Sequence, residues 1–558
     1  MEAQAAVLEC PCSLRSAPLT MLERPRRWNL SPVRRFARHS RTAACASALV
    51  LFLSAPTGAC AAGVSEADAV RAANRDAKVV DQRQKNDGLT HSAAMVEGRW
   101  EVAYFAADEQ VALAIVDPDT GEVVESWTGY QVAWKMARGY EGAFGHKLNA
   151  PYVFLPLCAL FLIGLVDWRR PWRPATLDLL VLLGFGVSHY FFNRAAIGVS
   201  VPLQYPVLLY LLGRALWIGL RGRGEGLRPV WPAAWLLIAA LFLIGFRAGL
   251  NVSDSGVIDV GYAGVVGAER IAHGEPLYGN FPEDVSQGDT YGPAAYLAYV
   301  PFELIWPWGG EWDDLPAAHG AAVTFDLVTF ALLILLALRI RPGPGGRKLA
   351  ATLAFGWAAY PYTAFALESN SNDTLVAALL VATLLLLARP VARGSLAALA
   401  ALTKFAPLVL APMLAGYDGR TRRFALAFAA TAALLMLWPA IDPGLGTFYD
   451  RTLGYQAGRD SPFSIWGQVP ALEPLRIAVL VATGLSAIAF AFYPRRKSLA
   501  QVAALSAALL IGLQLTAEHW FYLYVVWLYP LLLVAMSCGD VNSARLSRQS
   551  AGQRAGQF

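Results

Sequence analysis

Charge is what this 558-residue chain has least of: 46 Lys and Arg with 41 Asp and Glu come to 16% of its residues, while 56% are hydrophobic. Soluble chains carry about a quarter charged residues, so a soluble enzyme is excluded. The formal charge of +5 does not mark a nucleic-acid partner. Its arginines sit in an N-terminal leader and in short loops between apolar runs, where the positive-inside rule puts them. Cysteine is scarce and badly placed for a framework. Cys10, Cys12, Cys45 and Cys60 lie in the leader, and Cys158 and Cys538 lie in apolar segments, so no disulfides are expected. The Cys10-x-Cys12 pair has no histidine or second pair beside it to hold a metal. No glycine-rich phosphate loop opens a helix, which argues against an ATP-driven machine. Asp117-Pro118-Asp119 belongs to a turn and no other Asp-x-Asp stands out as a metal holder, so no metal and no cofactor is expected.

Apolar length is what the chain has instead. Runs at 151–166, 175–192, 199–220, 232–250, 318–338, 349–365, 374–388, 424–441, 472–492, 499–516 and 520–536 could each cross a bilayer. The fold class expected is an all-α polytopic membrane protein of roughly 11–13 transmembrane helices, with one small α+β domain before them. Basic loops (Arg169, Arg170 and Arg173, then 221–228, 339–348, 389–393, 420–423 and 495–497) separate alternate pairs of runs. Placing these loops inside leaves 63–150, 251–292, 368–373, 442–471 and 518–519 outside. A second cue agrees: a basic stretch followed by a short apolar run ending Ala59-Cys60-Ala61-Ala62 reads as an export signal. The organisation expected is a signal peptide or signal anchor (1–62), an extracytoplasmic domain (63–150), accessory transmembrane helices (151–230), a transmembrane core (231–537) and a disordered cytoplasmic tail (538–558). The location expected is the cell membrane.

In the small domain, Ser65-Glu66-Ala67-Asp68 opens a helix, and 99–106, 110–116 and 122–127 read as strands around the turn from Asp117 to Gly121. A helix followed by such a meander resembles the PepSY family, which implies a binding or regulatory module.

Two further apolar segments, 293–308 and 395–416, break parity if each crosses singly. The second is interrupted by Lys404 and Pro407. A charge at membrane depth is tolerated only against protein or a wet cavity. Lys404 therefore reads as the turn of a re-entrant hairpin or a broken helix lining a site. Half-helix pairs of this kind also occur in secondary transporters, which keeps that class open beside a non-catalytic sensor or scaffold.

The outer loops concentrate acids, aromatics and a few cations: Asp254, Asp259, Tyr262, Tyr278 and Tyr291 in 251–292, Arg451, Arg459 and Trp466 in 442–471, and His519. Such a set suits a sugar carried on a lipid phosphate. Aromatic faces pack on sugar rings, cations hold the phosphate, and a carboxylate takes the acceptor proton. Asp259-Val260-Gly261-Tyr262, Gly274-Glu275-Pro276-Leu277-Tyr278, Tyr291-Gly292-Pro293, Thr403-Lys404-Phe405-Ala406-Pro407 and Ser461-Pro462-Phe463-Ser464-Ile465-Trp466 follow in an order that resembles the GT-C membrane glycosyltransferases, most closely family 87, the polyprenol-phosphate-mannose-dependent mannosyltransferases. Glu368-Ser369-Asn370-Ser371-Asn372 stands where that family often has Gly-Gln-x-Asn, and the N-terminal spans and module are not part of its core.

The resemblance implies transfer of a hexose, mannose by analogy, from a polyprenyl-phosphate sugar to a glycan, lipid or protein acceptor outside the cell, the lipid-linked sugar being a co-substrate. Asp259 would be the general base, with Asp254 the second choice. Lys404, Arg459, Arg451 and His519 would hold the donor phosphate. Tyr262, Tyr278, Tyr291, Asn370, Asn372 and Trp466 would line the substrates. Membrane lipids are the other expected partners.

Overall fold

The computed structural model describes residues 64–538 apart from 97, 108, 141, 223–225 and 460. The expected leader (1–62) and the expected tail beyond its first residue therefore lie outside the described residues.

The N-terminal module is built from two short helices and a sheet. α1 (Glu66–Ala73) starts where Ser65 accepts the Asp68 N–H, and α2 (Ala77–Lys85) starts where Asp76 accepts the N–H groups of Lys78 and Val79. Caps of this kind contribute about 1 kcal/mol each. β1 (Thr90–Val96), β2 (Arg99–Ala106), β3 (Glu109–Val116) and β4 (Val123–Thr128) form an antiparallel meander in the order 1-2-3-4. Ala69, Ala73 and Val79 from the helices bury against Val102, Tyr104, Ala112, Ala114 and Val116 on one sheet face. At the β3–β4 turn Asp117 accepts the N–H groups of Asp119 and Thr120 at 2.9 and 2.8 Å, and Gly121 supplies the positive φ.

The helices that follow are α3 (Pro151–Leu165), α4 (Pro174–Phe192), α5 (Ile197–Arg221), α6 (Ala233–Ser253), α7 (Asp259–His273), α8 (Pro316–Ile340), α9 (Pro344–Ala359), α10 (Pro361–Glu368), α11 (Asp373–Leu385), α12 (Pro390–Ala401), α13 (Thr421–Pro439), α14 (Glu473–Phe492), α15 (Leu499–Gln514) and α16 (Val525–Ser537). Among the described residues six helices are long and apolar enough to cross a membrane, and shorter apolar helices make up the rest of the bundle. The short ones arise where prolines and polar residues interrupt apolar runs. The run over 349–365 breaks at Tyr360–Pro361, because proline has no N–H to continue the ladder. Segment 293–308 holds only the short helices Pro293–Leu297 and Val300–Glu303.

Buried charge pins the bundle together. Arg247 of α6 pairs with Asp326 of α8 at 2.5 Å, and the Trp357 indole N–H donates to the same carboxylate at 2.9 Å. Removing either partner would leave an uncompensated buried charge, at about 3–5 kcal/mol.

The stretch between β4 and α3 ties the module to one end of the bundle. The Gly256 N–H donates to Phe144 O at 2.8 Å, and Lys147 pairs with Asp254 at 3.3 Å. Trp134 packs edge-on against Phe463. That end carries the polar residues described next.

Candidate functional site

The site begins with how α7 is seated. The Ile258 N–H donates to Ser369 O at 3.1 Å, so the first turn of α7 lies on the turn between α10 and α11. At Gly261 a Cβ would stand 2.2 Å from Asn370 O, so only glycine permits this approach. Asp259 is the first residue of α7. Its carboxylate accepts the Val260 N–H at 2.8 Å and otherwise opens into a recess.

The Asp259 carboxylate is accessible and at the same time ringed by protein, as a group on the floor of a recess is. That crowding raises its pKa above the ordinary 3.8. The Val260 N–H, Arg459 and Lys404 pull the other way, and Asp373 adds to the rise.

Lys404 lies in the break after α12, which ends at Ala401 before a 3₁₀ turn over Ala406–Leu410. The break is held by the 291–294 loop. The Ala294 N–H donates to Leu402 O at 3.0 Å, and a Cβ at Gly292 would meet that same oxygen at 2.1 Å. Lys404 is 5% exposed. Its ammonium pairs with Asp373 at 2.6 Å and faces the rings of Tyr291, Trp527 and Tyr524 at 5.2, 5.2 and 5.7 Å. Asp373 also accepts the Trp527 indole N–H at 2.7 Å. An ammonium has three donors, and the lysine also lines a cavity, so N–H groups remain for a ligand.

Two cavities meet at Tyr291. One, of about 200 Å³, is lined by Tyr291, Lys404, Gln456, His519, Tyr524 and Trp527 among others. The second, of about 170 Å³, is lined by Asp259, Asp284, Ser286, Gln287 and Gly288 with Tyr291. The cations flank the first. The Arg459 guanidinium lies 3.4 Å from His519 Nε2, and Ser461 Oγ lies 3.0 Å from His519 Nδ1. Burial, helped by Arg459, pushes the His519 pKa down to about 3, so this imidazole is neutral and acts as a hydrogen-bonding group. Among the described residues Arg459 forms no ion pair. The Tyr291 hydroxyl is held neutral by burial and by Asp259 nearby, which push its pKa well above 10.0.

Of the twelve residues singled out in the sequence, the fold gathers Asp259, Tyr291, Lys404, Arg459 and His519 around these cavities. Tyr262 and Tyr278 stand behind them. The Tyr262 hydroxyl donates to Asp284 at 3.0 Å, and the Tyr278 hydroxyl donates to Tyr291 O at 3.0 Å. Four of the remaining five bond within the chain itself. Asp254 accepts the Lys147 N–H and pairs with its ammonium. Arg451 grips the buried Asp289 with two bonds of 2.7 Å. Asn370 is fully buried, accepting from Asn251 at 2.8 Å and donating to Ser255 and Gly256 at 3.0 Å each. The Trp466 indole N–H donates to Leu515 O at 2.9 Å. Asn372 is buried and neither polar atom of its amide has a hydrogen-bond partner. Glu368 is also buried without a hydrogen bond, and Arg247, Asp326 and Asp254 are the charges that act on it.

Sequence reasoning missed Asp373. The signal was available: a lysine at membrane depth demands a counter-ion, and Asp373 is the acid that opens the first turn of α11.

An apolar helical bundle with a carboxylate and a buried ammonium at one end is that of a membrane protein with a polar site at that end. Residues 290–517 match the model of Glycosyltransferase family 87. The match begins beside Tyr291, spans Lys404, Arg451 and Arg459, and supports a membrane glycosyltransferase with a sugar donor and an acceptor. Asp259 and His519 lie outside the matched span. No curated protein matches the chain.

Proposed function

We propose that this protein transfers a hexose, mannose in the first instance, from a polyprenyl-phosphate donor to a glycan, lipid or protein acceptor outside the cell membrane. The observation that carries the reading is the juxtaposition at Tyr291: an open carboxylate on one side, and a buried ammonium with Arg459 and His519 on the other. The acceptor enters the cavity of Asp259 and Asp284, and the donor phosphate occupies the cavity of Lys404. As the acceptor oxygen bonds to the anomeric carbon, its proton passes to Asp259 and the bond from that carbon to the phosphate oxygen breaks. The polyprenyl phosphate leaves with its charge held by Lys404 and by Arg459, whose guanidinium donates to His519. The anomeric centre inverts, since the exchange takes one displacement. The N-terminal module acts as a binding or regulatory domain on the same side.

The donor class is tested by incubating the purified protein with polyprenyl-phosphate mannose, polyprenyl-phosphate glucose and nucleotide sugars, with and without EDTA. Transfer is expected from a lipid-linked sugar only. It is expected to survive the chelator, because protein cations already supply the positive charge at the phosphate. Activity from a nucleotide sugar, or full loss in EDTA, would count against the reading.

Sidedness follows from the basic loops. Cysteines introduced at Thr128 and Asn280 are both expected to react with an impermeant maleimide in intact cells. Reaction only after lysis would reverse the orientation.

A further inference from the structure

A second polar cavity lies at the far end of the bundle. α15 and α16 meet the first site at Gln514 and Trp527, and α16 then runs away from it to Ser537. There the end of α8, the start of α9 and residues 226–228 come together, with the Leu227 N–H donating to Met536 O at 3.0 Å. They enclose about 210 Å³ lined by Arg228, Arg341, Lys348, Gly345, Thr352 and Ser537, with Leu227 and Leu349 as apolar wall.

Three features of this cavity point to one kind of ligand. Among the described residues its lining carries three cations and no carboxylate, and neither Arg341 nor Lys348 forms an ion pair there. α9 opens at its rim without a side-chain cap, bringing the positive end of a 16-residue helix to Gly345. The Ser537 hydroxyl, on a side chain only 4% exposed, has no hydrogen-bond partner, whereas the Thr352 hydroxyl is spent on Lys348 O. A buried hydroxyl without a partner is costly unless something completes it.

Three cations, a helix start and a buried hydroxyl without a partner match a compact oxyanion with several acceptor oxygens. The cavity sits among helix ends, at the level where basic pockets between transmembrane helices take lipid head groups. We propose that it binds a phosphate group at the face opposite the transfer site, carried by an anionic lipid head group or free in solution. Occupancy there would brace the ends of α8, α9 and α16. Nothing in this site depends on the transferase reading.

The test uses the full chain in an uncharged detergent. Thermal unfolding is followed with dioctanoyl phosphatidylglycerol, with dioctanoyl phosphatidylcholine, with inorganic phosphate, and with chloride at matched ionic strength. The proposal expects phosphatidylglycerol or inorganic phosphate to raise the midpoint where phosphatidylcholine and chloride do not. A rise with the lipid alone assigns the head group, and a rise with inorganic phosphate that the lipid does not exceed assigns the free anion. Affinity is expected to fall about fivefold for each cation removed, so Arg341→Gln with Lys348→Gln should nearly abolish the shift. Should the double variant not fold, Lys348→Gln alone carries the test, with Asp259→Asn as the variant that keeps the full shift. The absence of any shift with either phosphate, or an unchanged shift in the Lys348→Gln variant, overturns the proposal.

Discussion

Asp259→Asn is expected to lower turnover by at least about a hundredfold, the low end of what a positioned general base contributes. Asparagine keeps the shape of the side chain and can still accept the Val260 N–H, so the seating of α7 on residues 369–370 survives and only basicity is lost. Donor binding should stay near its normal value, because the phosphate is held on the other side of Tyr291. The pH profile gives a second readout. A base works only when ionised, and crowding raises the Asp259 pKa above 3.8. Activity should therefore be full well above that raised value and fall as the pH drops through it, with an acid limb higher than an ordinary aspartate would give. The limb should vanish from the residual activity of Asp259→Asn. Asp254→Asn should cost far less, since Asp254 holds Lys147 in place at some remove from both cavities. An active Asp259→Asn beside a dead Asp254→Asn would reverse the two roles.

Lys404→Met is expected to abolish transfer by about 10²–10³-fold, the size of effect seen when one charge-stabilising donor is removed from a transition state. The substitution also strands Asp373, which is fully buried, and a broken buried pair costs about 3–5 kcal/mol. Loss of activity alone would then be ambiguous between chemistry and folding. Lys404→Met combined with Asp373→Asn separates them. The second change removes the stranded charge while keeping an acceptor for the Trp527 N–H, so stability should largely return while transfer does not. Lys404→Arg should recover part of the activity, because a guanidinium brings charge with a different shape and hydration. Recovery of transfer in the Lys404→Met, Asp373→Asn variant would show that the lysine serves the fold only.

The parts of this architecture that follow from chain-local physics were legible. The apolar runs read correctly as a polytopic helical protein, because membrane burial acts on composition. β2 spans residues 99–106 as the alternation of Trp100, Val102, Tyr104 and Ala106 requires, since the sheet buries one face. β1 was missed. Thr90–Val96 is an edge strand with nearly every side chain exposed, so no face needed to be apolar and no pattern was written into it. The broken helix at Lys404 was visible because a charge inside an apolar run has few physical solutions.

What was not legible is which polar residues the fold consumes internally. Arg451, Asn370 and Trp466 carry the chemistry expected of ligand-binding groups, and each is spent on a partner distant in sequence: Asp289, Asn251 and Leu515 O. Guanidinium, amide and indole N–H groups meet a fold's buried demands with the same geometry they would offer a ligand. Only the tertiary arrangement tells the two apart. Asp373 illustrates the converse. It stands 31 residues from Lys404, a separation that no periodicity marks.

The most direct test places the purified protein in sealed liposomes containing polyprenyl-phosphate mannose labelled in the sugar, with a mixed pool of envelope glycan acceptors outside. The account predicts that label appears on an acceptor with an inverted anomeric centre, that free polyprenyl phosphate accumulates in equal amount, and that neither happens with Asp259→Asn. Label that crosses the bilayer still attached to its lipid, or label that stays where it began with every acceptor tried, would contradict it.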